Sequence, residues 1–244
     1  MKKRILTIAL VVALLATCFA GTFAYLMDTE AAKNVMVVGN VDIMQNEYMR
    51  DAEGKLTAYV GGSTLLPMGS DPAWADEELQ LNGQSCKMFA DENALDKIVT
   101  VTNNGNTAAY VRTIVALEAG KSAEVANDLW YNYIALTNGV GSYATEEDND
   151  LYVKIGDTYY IIVVYTYKAA LAAGAESVPS LTGVALYKEA TNEVLKNFDG
   201  SYEVLVLSQA VQASGMGDDA GVALDTAFGD VDADNVAKWF KDVA

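Results

Sequence analysis

The chain has 244 residues, a formal net charge of −17 and no histidine. A field of that sign repels phosphate backbones, which argues against nucleic-acid binding, and the missing histidine excludes His-based zinc sites and catalytic triads. About half of the residues are apolar, and fourteen Tyr with three Trp supply bulk for a core, so the length predicts one large domain or two small ones.

The first 24 residues predict an export signal that is removed. Three basic residues at 2–4 precede an apolar stretch at 5–20, which is short for a membrane span. Small residues then precede a predicted cut between Ala24 and Tyr25. We therefore expect a secreted protein that meets the membrane only during export; the alternative is an uncleaved N-terminal anchor.

The two cysteines, Cys18 and Cys86, do not form a disulfide framework, because Cys18 lies within the signal. The expected role of Cys86 is that of a small buried hydrophobe. Two alternatives are an intermolecular disulfide through Cys86 and lipidation at Cys18, although the residues around Cys18 fit a lipoprotein site poorly.

Residues 25–45 predict an extended N-terminal segment ahead of the main domain. The odd positions Val35, Val37, Val41 and Ile43 are apolar, whereas three of the five even positions from 34 to 42 are polar. This alternation is typical of a strand with one buried face.

The remainder, residues 46–244, predicts a single all-β domain with an acidic insertion at about 70–96. Runs of β-branched and aromatic residues, separated by turn signals, favour an antiparallel β-sandwich or a jelly roll, with short helices as additions. The nearly continuous apolar run at 159–167 indicates a central strand covered on both faces.

The individual elements follow from local patterns. Strands are expected at 56–60, at 97–102 and 109–117 as a hairpin around the turn 103–106, at 151–155 and 158–167 as a second hairpin, and at 184–187 and 202–213. Helices are expected at 75–79, at 218–228 and, capped by Asp234, at 235–240.

Arg112 stands within an otherwise apolar strand, so its charge needs a partner or a route to water. We expect an ion pair with an acidic residue at a sheet edge rather than a ligand-binding role.

Asp230, Asp232 and Asp234 alternate as carboxylates do at the start of an EF-hand loop. That loop would have Asn235 where Gly is needed and Lys241 where Glu is needed. Helix capping therefore explains the run better, and no cofactor is expected. Weak calcium binding at these three residues is the remaining alternative.

Two stretches resemble secreted TasA/camelysin-type proteins of Gram-positive bacteria, which a SipW-type signal peptidase processes. The first runs from Gly21 through the cleavage site to Glu30 and continues in the strand Val38–Ile43. The second is a Pro–Gly turn, an Asn–Gly strand end and a Tyr–Val–Arg strand, matched here by Pro67, Gly69, Asn104 (or the adjacent Asn103), Gly105, Tyr110 and Arg112. Met68, which separates Pro67 from Gly69, and the long acidic insertion depart from the pattern.

The resemblance implies a jelly-roll fold and assembly into biofilm-matrix fibres with copies of itself or with related matrix subunits. Our hypothesis is that the N-terminal segment adds as a strand to a neighbour's sheet, with Val35, Val37, Val41 and Ile43 as the inserted side chains. The alternatives are a secreted camelysin-like metallopeptidase, as some relatives are described, and a monomeric adhesin or binding domain. The chain has no histidine, and no spacing of acidic residues identifies a pair of catalytic carboxylates. We therefore expect no catalysis.

Overall fold

A computed structural model describes most of the main domain and part of the N-terminal segment. The described residues are 27–31, 41–121, 134–137, 143–145, 151–190, 196–198 and 201–241. The predicted cleavage site at Ala24 and Tyr25 lies outside them, as do Val35 and Val37. Within the described ranges, no helix has the length and apolar character needed to cross a membrane.

The described strands form two large antiparallel sheets and one small hairpin. The larger sheet contains β1 (Met27–Ala31), β7 (Ala109–Gly120), β9 (Tyr143–Thr145), β10 (Tyr152–Ile155), β11 (Thr158–Tyr167) and β13 (Val204–Gln212). The smaller sheet contains β2 (Ile43–Arg50), β3 (Leu56–Ala58), β6 (Leu95–Asn103), β8 (Ile134–Thr137) and β12 (Leu181–Leu186). The hairpin is β4 (Leu79–Leu81) with β5 (Gln84–Cys86).

In the larger sheet the spatial order is β1-β13-β7-β11-β10, and β9 also pairs with β11; in the smaller sheet it is β3-β2-β6-β12-β8. The two sheets face each other across one apolar core, in which Val99 of β6 packs with Val115 of β7 and Ile161 of β11. The prediction of an all-β antiparallel fold is confirmed, and the sheets form a sandwich. The jelly-roll connectivity stays a prediction.

The outer face of the larger sheet is covered by two short helices, α1 (Ala220–Phe228) and α2 (Ala233–Trp239). Leu224 of α1 packs near Tyr110 and Val211, and Val236 of α2 packs near Ile114. With the smaller sheet on one side and helices on the other, every residue of β7 is buried. The same position explains the apolar run of β11, so the prediction of a central strand there is confirmed.

Two of the predicted helices need correction. Asp232, not Asp234, caps α2, because its Oδ1 accepts a hydrogen bond from the Asn235 N–H at 2.8 Å and Asp234 lies in the first turn. No helix forms at 75–79; the chain there leads into the β4–β5 hairpin. Asn82 and Gly83, with φ values of 51° and 79°, supply the two-residue turn that a hairpin of this length requires. The helix predicted at 218–228 is confirmed as α1.

The turn at 103–106 does not close a hairpin as predicted. Strand β6 pairs with β2 and β12, whereas β7 pairs with β11 and β13, so this turn carries the chain from one sheet to the other. The predicted hairpin of β10 and β11, in contrast, is observed, with Gly156 at a φ of 61° in its turn. Both turns have residues that tolerate positive φ, and the local sequence does not distinguish them.

Asn103 holds the crossing between the sheets, and it is fully buried. Its Nδ2 donates to the carbonyl oxygens of Thr107 at 2.8 Å and Leu171 at 3.0 Å, while its Oδ1 accepts from the Gly105 N–H at 3.0 Å. Its own N–H donates to the Ala175 carbonyl at 2.9 Å. One side chain therefore satisfies three backbone groups from two separate loops.

Replacing Asn103 with Ala removes one hydrogen bond from each of these three groups; the Gly105 N–H keeps the Asp42 carbonyl and the Leu171 carbonyl keeps the Ala109 N–H, so we expect a loss of about 2 kcal/mol in the free energy of unfolding. The matched control is Asn104→Ala, because Asn104 is exposed; it should change stability by less than about 0.5 kcal/mol. Urea unfolding followed by circular dichroism measures both. Equal midpoints for the two variants would contradict this role of Asn103.

Candidate functional site

The first described element of the chain, β1, is the outermost strand of the larger sheet. It runs antiparallel to β13, with Met27 opposite Val211 and Ala31 opposite Leu207. It begins two residues after Tyr25, the predicted first residue of the mature chain. An edge strand at a chain terminus is joined to the fold on one side only, which makes it the candidate for exchange between molecules.

Val41 and Ile43 do not lie in that edge strand. Both are buried in the chain's own core, where they pack with Val101, Val111 and other apolar residues. Ile43 is the first residue of β2, so the predicted boundary between residues 45 and 46 falls inside a strand. Their apolar alternation arises from packing within the chain, which differs from the expectation that they insert into a neighbour.

The pairing of β13 determines which of its backbone groups face β1. The Glu118 N–H donates to the Glu203 carbonyl at 3.0 Å, so Glu203 and alternate residues after it direct their backbone groups towards β7. Residues 204, 206, 208 and 210 therefore direct theirs towards the edge. Of these, Ser208 and Ala210 are opposite Glu30 and Asp28 of β1, whereas residues 204–206 extend past its last residue.

A chain of polar side chains lies between the sheets next to this edge. Ser208 of β13 contacts Thr113 and donates to Gln45 Oε1 of β2 at 2.7 Å. Gln45 Nε2 in turn donates to Glu47 Oε1 at 3.0 Å and lies 3.4 Å from the Val206 carbonyl oxygen. Glu47 also forms an ion pair with Lys97. This polar chain joins β13 to β2 through hydrogen bonds among side chains of β7, β13 and β2.

Arg112 is paired with an acidic residue, as predicted, but it is not at a sheet edge. It lies on the central strand β7, with a side-chain exposure of 1%, and its Nη1 is 2.6 Å from Asp225 Oδ1 of α1. Its Nε donates to Gln209 Oε1 at 2.8 Å and its Nη2 to the Gly229 carbonyl at 3.2 Å. The guanidinium also lies 5.0 Å from the ring centroid of Trp239. These contacts attach both helices to the sheet.

Removing the acidic partner of Arg112 leaves a buried charge uncompensated. We expect Asp225→Ala to lower the free energy of unfolding by about 2–3 kcal/mol, less than for a fully buried pair because Asp225 is a third exposed. Asp230→Ala is the control, since it removes an exposed carboxylate from the short connection that follows α1. Thermal and urea unfolding measure the difference, and similar stability of the two variants would contradict this account.

The other residues of the family pattern have structural contacts. Pro67 bridges to Leu186, and the Tyr110 hydroxyl donates to the Gly217 carbonyl at 2.7 Å. The Gly69 N–H donates to Asp91 Oδ2 at 2.8 Å. Backbone N–H groups, that of Asn93 first and those of Gly69 and Ser70 after it, hold the pKa of Asp91 below its ordinary value.

Asn104 and Gly105 contact the start of β2 through their backbone. Their N–H groups donate to the Asp42 carbonyl at 2.8 and 3.1 Å. The side chain that organises this turn belongs to the adjacent Asn103. The sequence offers both asparagines as candidates. Asn103 continues the alternation of Val99 and Val101 along β6, and this alternation predicts that Asn103, rather than Asn104, is the buried one.

The acidic residues near the C-terminus serve the helices. Asp232 caps α2, the Asp230 carbonyl accepts from Asn235 Nδ2 at 3.0 Å, and Asp234 begins the first turn. Within the ranges that the structure describes, no three acidic or cysteine side chains form a group suited to a metal ion. Cys86 is buried in β5, and burial raises the pKa of its thiol.

Comparisons with protein-family models, with curated proteins and with solved structures found no match. The geometry of the edge, together with the sequence pattern, therefore carries the functional argument.

Proposed function

We propose that this protein is a secreted subunit of extracellular fibres of the biofilm-matrix type, similar to TasA/camelysin-type proteins. In this proposal a SipW-type signal peptidase cuts between Ala24 and Tyr25, and the chain then assembles with copies of itself or with related matrix subunits. The strand exchanged between molecules is β1, and its acceptor is the edge of β13. The single observation that carries the proposal is the pairing of β1 with that edge.

Three features support an exchange at this place. The pairing of β1 with β13 is made through the backbone, and an identical strand from a second copy offers the same donors and acceptors. Hydrogen bonds and an ion pair among β7, β13, β2 and β6 hold the polar chain from Thr113 to Lys97, so polar groups lie next to the strand that would be exchanged. Cleavage at Tyr25 frees the end of the strand, which the signal would otherwise hold at the membrane.

The register of the edge gives a test at the level of single N–H groups. Asp28 and Glu30 are opposite Ala210 and Ser208, so their N–H groups point towards β13, whereas the Thr29 N–H points away. Proline removes the N–H at its position. We expect the double variant Asp28→Pro/Glu30→Pro, in protein beginning at Tyr25, to raise the critical concentration for filaments at least about tenfold, because a strand without these two donors can stay undocked in a monomer but must be docked to join two subunits.

Thr29→Pro is the matched control and should form filaments close to the wild-type concentration. Electron microscopy and sedimentation over a concentration series measure assembly, and circular dichroism checks that each variant is folded. Filaments from the double variant at the wild-type concentration would overturn the exchange of β1. A wild-type protein that stays monomeric at every concentration would overturn the fibre function itself.

A further inference from the structure

Strand β13 extends past the end of β1. Because Ala31 is opposite Leu207, the backbone groups of Val204 and Val206 that face the edge lie beyond the last residue of β1. The Val206 carbonyl oxygen has one contact there, 3.4 Å from Gln45 Nε2. A strand that continued β1 by a few residues would therefore find two more positions at which to pair.

The space beside these positions is open. A cavity of about 630 Å³ is lined by residues 201–205, which lead into β13, by residues 61–65, which follow β3, and by residues of β6 and β12. The first two runs are consecutive, so the cavity has the form of a slot between two lengths of backbone. Such a slot suits an extended peptide, which adds to a sheet edge through its backbone.

Two carboxylates lie side by side at this end of the larger sheet. Glu203 directly precedes β13, and its carbonyl oxygen accepts from the N–H of the opposite residue, Glu118, at 3.0 Å. Like charges opposite each other on neighbouring strands repel. Among the described residues no Lys or Arg forms an ion pair with Glu203. A cation on the other side of Glu203, where β13 has its edge, would reduce that repulsion.

Glu203 lies on the helix-covered face of the sheet. Leu205 and Leu207, at alternate positions after it, pack in the apolar cluster that includes Val236 of α2. The Glu203 Oε2 accepts from the Tyr160 hydroxyl at 2.8 Å, and Tyr160 belongs to the same cluster. A cation that pairs with Glu203 must therefore approach on this face.

The register of β1 assigns one cation to that face. With Ala31 opposite Leu207, a continued strand has Lys33 opposite Leu205, at a position that shares the face of Glu203. Lys33 is then the diagonal neighbour of Glu203, which is within reach of a long side chain. Between residues 25 and 46 the chain has no other Lys or Arg.

The chain's own segment is too short to follow the whole of this edge. Val41 packs with Ala210 and Val111 in the core. If residues 32–35 lay opposite residues 203–206, the chain from 35 to 41 would have to return from the level of residue 203 to that of Ala210, about 24 Å along the strand. Those six residues span at most about 21 Å. A segment from another copy has no such limit, because its Val41 stays in that copy.

We propose that the strand passed between copies continues through residues 32–35, pairs with residues 203–206 of the neighbouring copy and places Lys33 beside Glu203 of that copy. This inference rests on the proposed exchange of β1 and supplies its driving force. Exchange of β1 alone replaces contacts within one molecule by identical contacts between molecules. The longer pairing is complete only between copies, so it favours the fibre over the closed monomer.

Charge reversal tests the ion pair in protein that begins at Tyr25. We expect Lys33→Glu and Glu203→Lys, each alone, to raise the critical concentration for filaments about five- to tenfold, because each brings like charges together. An equimolar mixture of the two variants should assemble close to the wild-type concentration, since contacts between unlike subunits again join opposite charges. Mixing cannot restore an ion pair within one molecule. Sedimentation and electron microscopy measure assembly.

Backbone pairing beyond Ala31 has a separate test. In the continued register Asn34 is opposite Val204, so its N–H points towards β13, whereas the Val35 N–H points away. Asn34→Pro should raise the critical concentration about three- to tenfold, the worth of one neutral hydrogen bond, and Val35→Pro should leave it near the wild-type value. Equal critical concentrations for these two variants would overturn the continued pairing.

Lys55→Glu and Glu53→Lys are the matched controls for charge, since they change the net charge by the same amounts at an exposed turn. Both should assemble like the wild type, and circular dichroism checks that every variant is folded. If the variants at Lys33 and Glu203 behave like these controls, or if their mixture assembles no better than its components, the ion pair between copies is overturned while the exchange of β1 stands. A wild-type protein that never assembles would overturn both.

Discussion

The complete hydrogen bonding of one buried side chain, that of Asn103, is the constraint on which the sandwich depends. The chain leaves one sheet and enters the other through a turn that begins at a buried residue, where unsatisfied backbone groups are costly. Asn103 lies at that turn and supplies both donors and an acceptor to it. The backbone next to it, at Asn104 and Gly105, also fixes the start of β2 through the Asp42 carbonyl. The two sheets and the loop at Leu171 thus share one point of attachment.

The interior of the sandwich differs from one side to the other. Around Val99, Val115 and Ile161 it is apolar and continuous, which supplies the driving force for stacking the sheets. Near β1 it contains the hydrogen-bonded chain from Thr113 to Lys97. The outer face of the larger sheet is closed separately, where Arg112 attaches α1 and α2.

Much of the fold could be predicted from the sequence, because many of its signals are local. The turn at Gly156 and the apolar run of β11 identify a hairpin and a central strand, and the pattern of α1 is visible from its apolar side. Asn82 and Gly83 are also typical of a two-residue hairpin turn. That hairpin was not predicted, because a helix was expected at 75–79 just before it. The turn at Asn103 could not be assigned in this way, because the sequence of a turn does not state whether its two strands pair with each other.

The candidate sites depend on contacts distant in sequence, so they were less accessible. The need of Arg112 for a partner follows from its apolar neighbours, but the identity of that partner, Asp225, follows from the docking of a helix more than a hundred residues later. For Val41 and Ile43 the sequence predicts the burial but not the partner. Their alternation indicates a buried face, but it does not show whether that face packs in the chain's own core or against a second molecule.

The position of β1 has a consequence for symmetry. A reciprocal exchange between two molecules closes as a two-fold dimer. When each molecule instead passes its strand to the next, the strand and the edge that receives it are different surfaces, and the contact is head-to-tail. Such contacts do not close on themselves unless their rotation happens to return to the start. In the proposed fibre, the assembly then has two unlike ends, one with an unused strand and one with a vacant β13 edge. Under that proposal, the position of this short strand predicts directional growth and capping of one end by a single terminal subunit.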